Sequence, residues 1–131
     1  ATGLPVWVGF STRPGEDGSL VSWHRPELPI AEAIPPIMAA GGSVAGIMHT
    51  ETADMGGALA ILEDAWAGPR MAYPESGYFE MPHWELGDLA PDEFAARCLG
   101  WIDDGVQVVG GCCGVGIEHV AALAEALQGR R

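Results

Sequence analysis

Two adjacent cysteines, Cys112 and Cys113, lie between glycines where an apolar run ends, in the sequence VVGGCCGVG. Neighbouring side chains of an extended strand point to opposite faces, so these thiols reach one ion only if the strand ends and the backbone turns sharply. Gly110, Gly111 and Gly114 give the backbone that freedom. The start of the helix that is predicted to follow favours thiolate over thiol. The pair is therefore a candidate for two ligands of a metal ion.

A third ligand is expected at another strand end, because a catalytic zinc ion usually has three protein ligands and one open position. His49 ends the apolar run GSVAGIMH, residues 42–49, and is the candidate. Two ordinary interpretations stay open: cysteine is a common buried apolar residue, and a histidine after a strand is often only hydrogen-bonded within its loop. Cys98, on the apolar face of a predicted helix, is expected to belong to the core.

A redox function for Cys112 and Cys113 is a weaker alternative. Redox-active pairs normally have two residues between the cysteines, and adjacent cysteines rarely bond to each other because the disulfide strains the backbone. Three cysteines are also an odd number for a disulfide framework. We therefore expect reduced thiols and a cytoplasmic location.

The composition is that of one globular domain, with 131 residues of which 48% are hydrophobic and 18% charged. Eighteen acidic residues against six arginines give a formal charge of −12. This charge argues against nucleic acid and anionic membrane surfaces as partners, because phosphate binding needs a positive surface. No apolar run approaches the roughly 18 residues that span a bilayer. The first residues, ATGLPVWVGF, lack an initiator Met, so we expect the chain to begin within a domain.

Short apolar strands alternate with helices along the chain. The predicted strands are residues 4–12, 42–49, 71–73 and 106–109, and the predicted helices are residues 30–40, 54–67, 91–104 and 117–127. Asp54 is the expected N-cap of the second helix and Gly105 the end of the third, while Pro35 and Pro36 lie near the start of the first helix or break it. The segments between these elements, residues 13–27 and 82–90 among them, are predicted loops. The alternation predicts an α/β fold with parallel strands, whose sites form at the carboxyl ends of the strands.

Four segments resemble one family, the homocysteine S-methyltransferases. VVGGCCGVGIEHVAAL closely resembles the C-terminal signature of that family, and FAARCLGWIDDGVQ is similar to its penultimate helix. YPESGYF, followed by Trp84, resembles the Y-P-N-S-G loop of the family, and LPVWVGFST with the later DGSL resembles its fifth strand and the segment after it. The segments cover nearly the whole chain in the right order. The GGCCG motif is specific, and the others support it.

The resemblance implies that residues 1–131 are the C-terminal half of a (βα)8 TIM-type barrel, four βα units that include strands five to eight. It also implies a zinc ion held by the adjacent cysteines and by one cysteine of strand six, in a G-[VI]-N-C context. Here the aligned residues are Gly46-Ile47-Met48-His49. The implied ligands are therefore Cys112 and Cys113 directly and His49 by position, with Met48 as packing.

The implied activity is methyl transfer to the zinc-bound thiolate of homocysteine, which gives methionine. A sulfonium compound, a betaine or a methylated folate is the implied methyl donor, and no catalytic residue is implied beyond the metal ligands. Two departures from the family pattern bear on the site, since His49 replaces a cysteine and Glu75 replaces an asparagine; Met48 also replaces an asparagine. The first makes the site one charge unit more positive, so we expect a lower pKa and a less nucleophilic sulfur for the bound thiol. The second is expected to alter substrate contacts.

The length raises a question about completeness, because a barrel of this type needs about 200 residues or more. The chain is expected to be a fragment of a longer protein; the alternatives are one of two chains that close the barrel together and a half barrel that pairs with itself. The isolated chain is expected to be inactive. A second function class therefore stays open, a non-catalytic zinc-binding or half-barrel assembly module. His24, His83 and His119 have no apparent partners, and His119 is expected to face solvent.

Overall fold

The computed structural model describes residues 3–130, except the side chains of residues 78, 79 and 84. In chain order the elements of this part are β1 (Trp7–Phe10), β2 (Thr12–Pro14), β3 (Leu20–Ser22), β4 (Arg25–Pro29), α1 (Ile30–Ala39), β5 (Val44–Glu51), α2 (Met55–Ala65), β6 (Arg70–Glu75), β7 (Gly77–Glu80), β8 (His83–Leu86), α3 (Pro91–Asp103), β9 (Val108–Val109) and α4 (Ile117–Gln128). None of these helices is long and apolar enough to cross a membrane.

The largest sheet is parallel and has the strand order β1-β5-β6-β9. Gly9 pairs with Gly46, Gly46 with Met71, and Met71 with Val108, so one row of partners crosses all four strands. Each of these strands is followed along the chain by a helix, which is the right topology for parallel pairing. The predicted α/β fold with parallel strands is confirmed, and it is consistent with part of a (βα) barrel.

The hydrophobic core lies between this sheet and the helices. Phe10, Ile47 and Ala72 are buried on the helix-covered face, where register partners of parallel strands point the same way. Trp7 lies on the opposite face and is 54% exposed. The large buried side chains that the helices contribute are Ile30, Ile34, Met38, Met55, Leu59, Leu62, Phe94, Cys98, Trp101 and Leu123. Packing of one face thus fixes how the strands align and where their carboxyl ends lie.

The predicted loop at residues 13–27 is wrong, because it contains an antiparallel sheet of β2, β3 and β4. The glycines that suggested a loop form a hairpin turn instead, in which the Gly15 N–H donates to the Ser19 carbonyl at 2.7 Å. Thr12 is fully buried, and its hydroxyl donates to the Val21 carbonyl at 2.8 Å. The first predicted strand therefore divides between two sheets, as β1 and β2.

Other boundaries differ from the prediction in smaller ways. Residues 82–90 begin with β8, which pairs antiparallel with β7. Helix α1 continues through Pro35 and Pro36, because its buried apolar face packs on the core and compensates for the hydrogen bonds that prolines remove. Asp54 occupies the N-cap position of α2, but its side chain makes no capping hydrogen bond. Gly105 follows α3 with a φ of 89°, as predicted for a helix end.

Candidate metal centre

The carboxyl ends of three strands bring four side chains together. His49 lies near the end of β5, Glu75 ends β6, and Cys112 and Cys113 follow β9. One potential ligand atom from each residue lies within 4.8 Å of the other three. Because the strands are parallel and adjacent, residues far apart in sequence meet at one edge of the sheet.

His49 owes its position to a β-bulge near the end of β5. Met48 pairs with Tyr73 and Glu51 pairs with Glu75, so three steps along β5 match two along β6. The extra residue changes the alternation of side chains. In a regular strand His49 would point to the face opposite that of Met48, and the bulge frees it to turn toward the end of β6.

Contacts around the bulge hold His49 in an uncommon backbone conformation. Its φ is 48°, in the left-handed region that residues other than glycine seldom adopt. The Thr50 hydroxyl donates to the Met48 carbonyl at 3.0 Å and accepts the Thr12 N–H at 3.1 Å. The Trp23 ring packs against the imidazole with centroids 5.2 Å apart. Such conformations persist where neighbours fix them, and they cluster at functional sites.

Cys112 and Cys113 lie in a tight turn after β9. The Cys112 N–H donates to the Pro74 carbonyl at 2.9 Å, and the Val115 N–H donates to the Cys112 carbonyl at 3.2 Å. Gly114 occupies the third position of this turn with a φ of 76°, as glycine does in a type II turn. Because the chain reverses at once, the two Sγ atoms lie 3.8 Å apart.

The cysteine turn is attached to the end of β6 by close backbone contacts. The Ser76 N–H donates to the Cys113 carbonyl at 2.8 Å. A side chain at Gly114 would overlap the Ser76 carbonyl oxygen. Glycine is therefore required at position 114 both for its φ and for the space that it leaves.

Glu75 is the most deeply buried member of the group, with 4% of its side chain exposed. Its Oε2 lies 2.6 Å from His49 Nδ1, at the distance of an ion pair, and makes no other polar contact among the described residues. Burial raises the pKa of Glu75; the nearby His49 opposes this shift, and the Glu51 carboxylate adds to it. A buried carboxylate is costly unless a cation compensates for it.

The sulfur atoms of Cys112 and Cys113 also lie where a bound cation would be favourable. Burial raises the pKa of Cys113, as do its hydrogen bond with Cys112, the Cys112 charge and the Glu75 carboxylate. Cys112 and Glu75 thus lie close enough to Cys113 to disfavour its charged form. A bound divalent cation reverses this preference and deprotonates a coordinating thiol.

The donor atoms and their spacing fit zinc. Two thiolates at about 2.3 Å from one tetrahedral zinc ion are about 3.8 Å apart, which equals the Sγ–Sγ distance of 3.8 Å. A thiolate and an imidazole nitrogen on one such ion are about 3.6 Å apart, and Cys113 Sγ lies 3.9 Å from His49 Nδ1. Nitrogen, carboxylate and thiolate ligands are those that zinc accepts in proteins.

The structure therefore brings together all three predicted ligands, His49, Cys112 and Cys113, and adds Glu75. The sequence pattern indicated Glu75 only as a departure that alters substrate contacts. One signal could have identified it as a ligand: Glu75 lies at the carboxyl end of β6, and β6 is the neighbour of β5, which bears His49. Trp23, which packs on the imidazole, lies in the segment that was predicted as a loop, and no pattern in the sequence pointed to it.

The other candidate residues lie away from the site. Cys98 is fully buried in α3, and burial raises the pKa of its thiol to about 12, so the core prediction is confirmed. Met48 packs its sulfur over Gly9, as expected for packing. His24 and His83 are exposed.

The prediction for His119 is wrong, because its ring is only partly exposed. Its Nδ1 accepts the Gly116 N–H at 3.1 Å, and its Nε2 lies 2.7 Å from the Leu89 carbonyl, to which it donates. The ring of Phe94 meets it edge-on at 5.7 Å. His119 therefore fixes the start of α4 against the segment before α3.

Comparisons with known proteins agree with the motifs. The model of the homocysteine S-methyltransferase family matches residues 1–127. Homocysteine S-methyltransferase 4 of Zea mays is 25% identical over 130 residues, which are 95% of this chain and 36% of that protein. Selenocysteine Se-methyltransferase of Brassica oleracea var. italica is 26% identical, over 98% of this chain and 37% of that protein. Homocysteine S-methyltransferase 2 of Arabidopsis thaliana is 25% identical, over 98% of this chain and 38% of that protein. The chain spans a little over a third of the length of these relatives.

Proposed function

The chain belongs to the homocysteine S-methyltransferase family, and from this premise we propose that it supplies the zinc-binding part of a domain that methylates homocysteine to methionine. The observation that carries the proposal is the convergence of His49, Cys112 and Cys113 at the carboxyl edge of a parallel sheet. In folds of this kind that edge is where active sites form.

His49, Cys112 and Cys113 would hold the zinc ion, which lowers the pKa of a coordinating thiol and so presents the substrate sulfur as a nucleophile at neutral pH. Other residues of the chain hold the proposed ligands in place. Trp23 packs on the His49 ring, and the bulge at Thr50 fixes its direction. The rigid turn at Gly114 sets the spacing of the two sulfurs. No side-chain nucleophile is required, because the substrate thiol attacks the methyl group itself.

We further propose that residues 1–131 provide strands five to eight of a complete (βα)8 barrel. The outer strands of the parallel sheet, β1 and β9, would then pair with strands of the missing half, supplied by a longer chain, by a second chain or by another copy. That half would contribute contacts to the methyl donor and to the amino-acid part of homocysteine. Three free thiols suit a reducing compartment such as the cytoplasm, and the acidic charge excludes nucleic acid from the proposed partners.

A second candidate function is a non-catalytic zinc-binding or half-barrel assembly module. The presence of four potential ligands rather than three favours it, because structural zinc sites are closed by four protein ligands whereas catalytic sites keep one position open.

Zinc content and methyl transfer distinguish these functions. We expect near one zinc ion per chain in the purified protein, loss of zinc in Cys112→Ser and in His49→Ala, and retention in the control Cys98→Ala. Methionine formation from homocysteine and a methyl donor, measured with the remaining part of the barrel present, supports the enzyme. Zinc without any methyl transfer supports the assembly module. A protein that binds no zinc contradicts both functions.

A further inference from the structure

Trp23 lies in the turn between β3 and β4, outside the parallel sheet, and packs against the His49 imidazole. We propose that Trp23 is a positioning residue for this one ligand, which holds the plane of the imidazole so that Nδ1 points at the metal. The inference rests on the proposed function, because it assumes that His49, Cys112 and Cys113 hold the ion. It adds to that function a residue of the β3–β4 turn and the identity of the ligating nitrogen.

Metal binding by an imidazole depends on the plane of its ring. The lone pair of the ligating nitrogen lies in that plane, so the ring must be oriented before it can serve as a ligand. Torsion about the Cβ–Cγ bond of histidine is broad, so the backbone alone does not set the plane. Nδ1 of His49 faces Cys113 Sγ at 3.9 Å and Glu75 Oε2 at 2.6 Å. Nδ1 is therefore the nitrogen that the observed plane directs to the other proposed ligands.

The core does not enclose the His49 ring, so individual contacts must orient it. The side chain is 39% exposed, and close packing of the kind that fixes core side chains does not surround it. The Trp23 ring lies beside the imidazole, with centroids 5.2 Å apart and planes inclined at 52°. This spacing is within the range in which aromatic rings attract each other. Rotation of the imidazole about Cβ–Cγ changes the inclination of the two planes and so disrupts the contact.

Trp23 is itself held by contacts that do not involve the imidazole. Its backbone N–H donates to the Ser11 carbonyl at 3.0 Å, which attaches the turn to the segment between β1 and β2. The Thr12 N–H donates to the Thr50 hydroxyl at 3.1 Å, which connects the start of β2 to the residue after His49. The indole and the histidine backbone are therefore held in one frame, as a positioning role requires.

The contact can orient a histidine but not a cysteine. Cysteine is equally a zinc ligand, but a single torsion places its sulfur, and it has no ring plane to orient. Trp23 should therefore matter for metal binding only while residue 49 is a histidine. Coupling between positions 23 and 49 is the signature of this role, and a double-mutant cycle measures it.

Zinc affinity, measured by competition with a chromophoric chelator, gives this coupling. We expect Trp23→Leu to weaken zinc binding about tenfold in the native chain. In the His49→Cys chain the same substitution should change zinc affinity by no more than about twofold. Trp23→Phe keeps an aromatic ring beside the imidazole, so its affinity should stay within about threefold of the native value.

The matched control is Trp66→Leu. Trp66 is half-buried, as Trp23 is, but it lies between α2 and β6, where β6 begins rather than where it ends. The same loss of an indole there should leave zinc affinity within about twofold of the native value.

NMR of the imidazole nitrogens provides a second measurement, which needs no substitution. In the zinc-loaded native protein we expect the metal on Nδ1 of His49 and the proton on Nε2. This assignment tests the ring orientation even if Trp23→Leu does not fold.

The outcomes separate this inference from the proposed function. Equal zinc affinity in the native chain and in Trp23→Leu overturns the inference and leaves the proposed function standing. A loss of similar size in the His49→Cys chain also overturns it, because Trp23 then supports the site as a whole rather than the imidazole. Zinc on Nε2 of His49 overturns it as well. A native chain that binds no zinc overturns both.

Discussion

The same residue type occurs in two contrasting settings in this protein. Cys98 lies in the regular helix α3, is fully buried among apolar side chains, and has a pKa raised to about 12 by burial. Cys112 and Cys113 lie in an irregular turn, are partly exposed, and face a histidine and a carboxylate. The surroundings of a cysteine, rather than the thiol itself, therefore decide whether it packs in the core or is placed to bind a metal ion.

The backbone differs between the two regions as much as the side chains do. Gly100 in α3 has open space where a Cβ would lie, whereas Gly114 in the cysteine turn has a φ of 76° and would overlap a carbonyl oxygen. The exposed face of α3 at Gly100 is therefore expected to tolerate substitution, and the cysteine turn at Gly114 is not. Four predictions test this contrast, from the largest expected effect to the smallest.

The largest effect is expected for Gly114→Ala. A left-handed conformation costs a residue with a Cβ about 1–2 kcal/mol, and the added methyl group also overlaps the Ser76 carbonyl oxygen. The free energy of unfolding should fall by about 3 kcal/mol or more, and zinc affinity by about 100-fold, because the turn holds both sulfurs. Denaturant titration and competition with a chromophoric chelator measure these changes. Zinc affinity within threefold of the native protein would show that the turn does not set the sulfur spacing.

Alkaline pH should destabilise the protein through Cys98. Burial raises its pKa to about 12 in the folded protein, from an ordinary value of 9.0. The thiol is neutral in both states below the unfolded pKa, so its contribution to stability is complete there and is lost as the pH rises toward the folded pKa. Between pH 9 and pH 10.5 the loss should be about 1.6 kcal/mol, because the slope rises from half its full value at pH 9 to about 1.4 kcal/mol per pH unit.

The control for this pH effect is Cys98→Ala, in which the titrating thiol is absent. Denaturant titrations of both proteins across this range should give a steeper decline for the native chain. Parallel declines would refute the assignment of the effect to Cys98.

A pair of serine substitutions should separate the two settings of cysteine. Cys98→Ser places a hydroxyl in an apolar core, so the free energy of unfolding should fall by about 1–3 kcal/mol while zinc content is unchanged. Cys112→Ser should do the reverse: zinc is lost, and stability measured with a chelator present changes by less than about 0.5 kcal/mol. Zinc loss in Cys98→Ser without unfolding would break the comparison.

The smallest effect is expected for Gly100→Ala in α3. Gly100 is exposed inside the helix, and no atom lies within 4 Å of an added Cβ. Alanine should raise the free energy of unfolding by about 0.5–1 kcal/mol, because it restricts the unfolded chain and has the higher helix propensity. Thermal or denaturant unfolding of Gly100→Ala and Gly114→Ala under the same conditions measures the two changes in stability. A destabilised Gly100→Ala would mean that α3 is no more tolerant than the cysteine turn.

Local patterns explain why much of the fold was predictable. Helix α3 begins at a proline with acids in its first turn and ends before Gly105, and such signals depend only on neighbouring residues. The hairpin of β2 and β3 was missed because a turn and a loop use the same residues, and only the pairing of Thr12 with Ser22 and of Arg13 with Val21 distinguishes them.

The sequence by itself determined the alternation of the four parallel strands with four helices, the adjacent cysteines and the apolar face that buries Cys98, because periodicity and turn residues act over short distances. Only the tertiary structure decided that Glu75 joins His49 and the cysteines. That grouping depends on the register between β5 and β6, on the bulge after Met48 and on the contact between Ser76 and the cysteine turn. Each is an interaction between segments distant in sequence, and packing of the whole core fixes them.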